Sequence, residues 1–176
     1  LDLKFHDIPN TVAKACSVAA KMGVWMVNVH ASGGAGMMLA AREAIDKHDA
    51  SLQPKLIAVT VLTSMNQETL TAVGVSGQIN QVVCKWAAMA EQANLDGVVS
   101  SAQEAALIRA QSTPKFMIVT PGIRLPSDNK DDQKRIVTPS DACTAGVTHI
   151  VVGRPITQAQ DPCAALEVFR EAFTCA

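Results

Sequence analysis

The chain has 176 residues, enough for one sizeable core and too few to argue for two domains. Apolar residues make up 48% and charged residues 18%, and a net charge of −1 gives no global attraction for nucleic acid or an anionic membrane. No apolar run reaches bilayer-spanning length and no signal-peptide pattern is visible, so the expectation is a cytoplasmic protein without a membrane partner.

Phe, Trp and Tyr together reach only 3%, so the core must be built from Val, Ile, Leu, Ala and Met. Such a core suits parallel strands covered by Ala-rich helices. In chain order, "LDLKFH" reads as a strand before a helix over roughly 9–22. After Gly23, "VWMVNVHA" precedes a helix over about 34–47. "KLIAVTVLT" is followed by a polar stretch and a helix near 78–93, and "LDGVVSS" by a short helix around 102–110. "KFMIVTPGI" leads through a long polar loop to a helix from about 138. "THIVVGRPIT" comes last, with a closing helix from about 162. The strands are Val/Ile-rich and hardly alternate, as expected of a parallel sheet buried on both faces.

Strand–helix repeats of this kind fit an open doubly wound sheet or part of a (β/α)8 barrel. Strand count alone favours the open sheet. Polar residues recur where each strand ends, at Asp2/Lys4/Asp7, His30/Ser32, Thr63/Ser64, Ser100/Ser101, Pro121/Arg124 and Gly153/Arg154. In a barrel all of these ends converge on the face where such enzymes place their sites, which favours a TIM (β/α)8 barrel with about six of its eight units here. No linker divides the chain, so residues 1–176 read as one barrel domain. The one long irregular segment, Pro121–Ser140, has the size of a functional loop.

Several features look chemical and are not. The five Cys, at 16, 84, 143, 163 and 175, are scattered and lack paired metal spacing, which suggests reduced thiols. The four His form no ligand cluster, and no metal or other cofactor is expected. "ASGGAGMM" opens a helix but lacks the G-x-G-x-x-G spacing, so Gly33, Gly34 and Gly36 read as a tight turn. His30 reads as a hydrogen-bonded core histidine, and Trp25, Trp86 and the methionines as packing.

The opening "LDLKFHDIPNT" is different. Strand alternation sends Asp2 and Lys4 to one face and Leu1, Leu3 and Phe5 to the other. Asp7 lies just beyond and could equally cap the helix that begins near Pro9. A carboxylate beside an ammonium on an inward face is a poor stabiliser and is more often retained for function.

"DLKFHDIPNT" closely resembles the D-x-K-x-x-D signature of the orotidine 5′-phosphate decarboxylase family, in the bacterial form that continues into I-P-N-T. "GVWMVNVHASGG", "LIAVTVLTSM", "LDGVVSSAQEA", "VTPGIR", "DDQKRI" and "VVGRPIT" resemble that family's later strand ends, in order, across the whole chain. The resemblance implies cofactor-independent decarboxylation of orotidine 5′-phosphate to UMP. It places Lys4 where an ammonium stabilises and protonates the C6 carbanion, and Asp2 against the departing carboxylate. It assigns Asp7, Ile8 and Thr11 to a segment that crosses a dimer interface into the neighbour's site, which implies a homodimer. Thr63 would contact the base, with Ser64 as the alternative donor, and Pro121 would border the ring. Gly153, Arg154 and Gln133 would hold the phosphate, with Arg124 at the root of a lid formed by the 121–140 loop.

The family barrel has two strand–helix units before this motif, so a start inside a strand reads as a truncation or an absent head. Two other readings stay open. One is the related Mg²⁺-dependent sugar-phosphate decarboxylase or aldolase type, which shares D-x-K-x-x-D. The other is a non-catalytic fragment that binds a phosphate ligand.

Overall fold

The computed structural model describes residues 1–125 and 137–174. Helix α1 (Pro9–Lys21) has Pro9 in its first turn, where a missing N–H costs nothing, and buries Val12, Cys16, Ala19 and Ala20 along one face. Gly23, at φ 69°, turns the chain out of α1 into strand β1 (Met26–His30). A 3₁₀ turn over Ala31–Gly33 and Gly34 at φ 84° lead into α2 (Gly34–Asp46), which packs on α1. Then follow β2 (Lys55–Val59), α3 (Gln67–Ala72), α4 (Ile79–Gln92), β3 (Gly97–Val99) and α5 (Ala102–Arg109). The chain closes with β4 (Met117–Pro121), α6 (Pro139–Thr144), β5 (His149–Val151), the one-turn α7 (Arg154–Thr157) and α8 (Pro162–Ala172).

The five strands pair in sequence order, β1-β2-β3-β4-β5, and every pairing is parallel. A doubly wound sheet reverses its strand order at a switch point, whereas a (β/α)8 barrel adds each strand beside the last. The absence of a reversal among the described strands makes this sheet an arc of the barrel. Along β1 and β2, Val27, Val29, Leu56 and Ala58 point outward and are fully buried in one apolar cluster with α1, α2 and α4 residues. Asn28 and Ile57, and in later strands Val99, Val119 and Val151, point to the other side and line an inner cavity.

Three expectations need correction. Residues 1–6 do not form a regular strand: Phe5 alone bridges to Val29, and Lys4 adopts φ 52°, which breaks the extended geometry. The polar stretch after β2 holds α3, whose N-cap Asn66 accepts a hydrogen bond from the Thr69 N–H at 2.9 Å. The thiol reading holds for Cys16, Cys84 and Cys163, but Cys143 is disulfide-bonded.

At the N-terminal end of the strands, Asp96 gathers three donors. Its carboxylate accepts from the Leu56 N–H at 2.9 Å, Lys55 Nζ at 3.0 Å and Arg42 Nη1 at 3.2 Å. Arg42 also bonds Asp46 at 2.7 Å. This network ties α2, β2 and the start of β3 together, at the end of a barrel that serves stability.

Candidate active site

Lys4 and Asp2 meet as the spacing predicts, with Lys4 Nζ donating to Asp2 Oδ1 at 2.8 Å. Strand alternation is not the cause, because the segment is not a strand. The cause is Asn28, buried in the middle of β1. Its Oδ1 accepts the Lys4 backbone N–H at 2.8 Å, and its Nδ2 donates to Asp2 Oδ1 at 2.6 Å. The Asn28 carbonyl accepts the Phe5 N–H at 3.1 Å, and the His30 N–H donates to the Phe5 carbonyl at 3.0 Å. Burial pushes the Asp2 carboxyl up, but the hydrogen bonds from Lys4 and Asn28 and the Lys4 charge outweigh it, holding Asp2 below the usual carboxylate value.

The pair stands at a cavity of ≈ 370 Å³ lined also by Asn28, Ile57, Val99, Val119 and Pro121. The apolar strand residues give one ammonium–carboxylate couple a low-dielectric wall. Such surroundings magnify a fixed charge once solvent leaves. Among the sequence-predicted site residues, Asp2, Lys4 and Pro121 share this cavity.

The others lie elsewhere on the same chain. Asp7 is exposed and accepts the Ile8 N–H at 2.6 Å. It is not the helix cap, since Ile8 occupies that position without a side-chain hydrogen bond. Ile8 is 66% exposed, and Thr11 is exposed beside it. Thr63 and Ser64 form a turn after β2, with Thr63 half-buried and Ser64 exposed. Arg124 is buried, donates from Nη1 to the Ile123 carbonyl at 2.9 Å, and its backbone N–H bonds the Val137 carbonyl at 3.2 Å. Ile123 and Val137 thus pair the two ends of the long loop. Gly153 precedes α7 with open space where a side chain would stand, and Arg154 is half-buried in that turn. Gln133 and most of the expected lid lie outside the described residues.

His30 is half-buried with its ring 5.3 Å from that of His6. Burial foremost, and then the nearby His6 and Lys4, lower its pKa from the ordinary imidazole value. Both rings line a second cavity of ≈ 320 Å³ with Ser32, Thr60 and Trp86. No group of three or more His, Cys, Asp or Glu suited to a metal ion occurs among the described residues. No described helix is long and apolar enough to cross a membrane.

Asn28 is the residue that sequence reasoning missed. Its signal was present: an amide inside "WMVNVH" must find partners or bear a large desolvation cost.

Known proteins resemble this chain along nearly its whole length. The chain is 52% identical over all 176 residues to an orotidine 5′-phosphate decarboxylase of Nitrosomonas eutropha, of which it covers 74%. It is 58% identical to one from Saccharophagus degradans over 95% of the chain and 69% of that protein. The crystal structure of orotidine 5′-phosphate decarboxylase from Lactobacillus acidophilus superposes with a TM-score of 0.85 at 38% identity, over 99% of this chain and 74% of that one. A model of the orotidine 5′-phosphate decarboxylase / HUMPS family matches residues 1–169, which include both the Asp2–Lys4 couple and the Gly153–Arg154 turn, and the chain belongs to that family.

Proposed function

We propose that this chain carries the decarboxylation of orotidine 5′-phosphate to UMP, a step of pyrimidine biosynthesis. The observation that carries the reading is the Lys4–Asp2 couple at an apolar-walled cavity, in a chain 52–58% identical to curated decarboxylases. The family model also spans the HUMPS branch, and these relatives favour the decarboxylase side.

The reaction breaks the C6–carboxylate bond and leaves its electron pair on C6, with no neighbouring carbonyl or imine to spread it. Stabilisation must be electrostatic and already in place. In this reading the Lys4 ammonium faces the developing carbanion and then transfers a proton to C6, while CO2 departs. Asp2 lies against the departing carboxylate and aims Lys4. The Lys4 amine regains its proton from water when product leaves.

Thr63 or Ser64 reads the base, and Pro121 borders the ring. Gly153, Arg154 and Gln133 take the phosphate, and Arg124 anchors the loop that closes over it. Binding energy from the non-reacting phosphate then helps to assemble the site. Exposed Asp7, Ile8 and Thr11 reach a second protomer's site, so the working unit is a homodimer in the cytoplasm. Support for this last point is the exposure of Ile8 beside a carboxylate that meets no cation among the described residues.

The test is loss of orotidylate absorbance on incubation with the intact protein, with and without EDTA. Turnover unaffected by EDTA is expected. Absence of turnover, or turnover abolished by EDTA and restored by Mg²⁺, overturns the reading.

A further inference from the structure

We propose that Asn28 is a positioning residue whose single carboxamide holds the Lys4 backbone and the Asp2 carboxylate, presenting the pair as one rigid unit. The meaning of the pair rests on the decarboxylase reading; the geometry does not.

The Lys4 and Asp2 side chains are 40% and 66% exposed, whereas Asn28 is 7% exposed on a strand hydrogen-bonded to β2. An exposed ion pair ordinarily wanders among rotamers, and holding it costs side-chain entropy. Here one oxygen, Asp2 Oδ1, receives both Asn28 Nδ2 at 2.6 Å and Lys4 Nζ at 2.8 Å. The other end of the same amide holds the Lys4 N–H at 2.8 Å. The resulting ring of three contacts fixes carboxylate, ammonium stem and backbone relative to β1.

The backbone needs such a hold. Lys4 sits at φ 52°, in the left-handed region that non-glycine residues disfavour. Only Phe5 of this segment bridges to a strand, so no regular ladder enforces the turn. Conformations of this kind persist where surrounding bonds over-determine them. An amide also carries no charge at any working pH, so its hold does not vary with protonation. Aspartate in its place would keep the acceptor for Lys4 but face Asp2 with a like charge. Leucine would keep the volume and lose both bonds.

The experiment compares the parent with Asn28→Asp and Asn28→Leu in the intact protein, with urea midpoints to establish that each is folded. Two readouts are taken: steady-state kinetics with orotidine 5′-phosphate, and titration of the Asp2 carboxyl by ¹³C NMR without substrate. The expected result is a fall in kcat of at least ~10-fold with KM changed far less, since misplacement of a reacting group costs up to about 10²-fold. The Asp2 titration moves to higher pH in both variants, further in Asn28→Asp, because a donor is lost and an anion added. A merely structural asparagine lowers the urea midpoint and leaves the Asp2 titration and kcat in place, and that result overturns the proposal. Should the parent fail to turn over while the Asp2 titration still shifts, the positioning role stands and the decarboxylase reading falls.

Discussion

Replacing Lys4 with alanine removes the cation on which the proposed chemistry depends, and its effect can be bracketed from the structure. A charge held at the 2.8 Å of the Lys4–Asp2 contact interacts with a unit charge by ~1.5 kcal/mol at the dielectric of water and by ~6 kcal/mol at the effective value near 20 that suits protein sites. Lys4 is 40% exposed in the free chain, so the lower figure describes the open site. The upper one applies once substrate and the loop exclude water. At about 1.4 kcal/mol per decade, the corresponding losses run from ~10-fold to ~10⁴-fold, bracketing the ~10²–10³ typical of one preorganised donor. The assay is kcat from the decay of orotidylate absorbance in the intact protein, with substrate affinity followed separately by UMP binding. A folded Lys4→Ala variant with kcat within a few-fold of the parent would refute the electrostatic argument. So would a variant whose whole loss appeared in UMP affinity.

If Asp7 completes the neighbour's site, mixing inactive Lys4→Ala and Asp7→Ala protomers regenerates one intact site per hybrid dimer. About one quarter of parental activity should return under random pairing, and no recovery on mixing argues against shared sites. Asp96→Ala strands the Leu56 N–H and removes one of the two carboxylates that hold the largely buried Arg42, together with the partner of Lys55. It should cost ~2–3 kcal/mol by urea unfolding with kcat little changed. Gly97→Ala drives a methyl into the Met117 carbonyl and to 2.6 Å from Met117 Cβ on the paired strand, for a loss of ~1–3 kcal/mol or more. A midpoint equal to the parent's would mean that the two strands separate easily. Burial lifts the Cys16 thiol to about 11, so at pH 8 a disulfide reagent should label exposed Cys163 quickly and Cys16 only on unfolding. Rapid labelling of Cys16 in the folded state would contradict its burial.

The fold was legible because the parallel strands write themselves as undivided apolar runs, and several helices carry their own start signal. Pro9, Ser101, Thr138 and Asp161 all stand at helix starts. What escaped was short or non-local. Helix α3 spans Gln67–Ala72 and buries only Leu70, too little for a periodic pattern to register. The first residues have an alternating sequence yet do not form a strand, because a twist at Lys4, held from β1, overrides local propensity. The Lys4–Asp2 contact was therefore expected for the wrong geometric reason and found for another. The residues proposed for ring, base and phosphate come from separated strand ends, so no single motif encodes their proposed grouping.

The left-handed backbone at Lys4 sets two demands against each other. Glycine or asparagine would relax the main chain at position 4, and either would discard the ammonium. Evolution in the laboratory for heat resistance alone, with no selection for turnover, should therefore drift toward those residues. The survivors would be sturdier and catalytically silent.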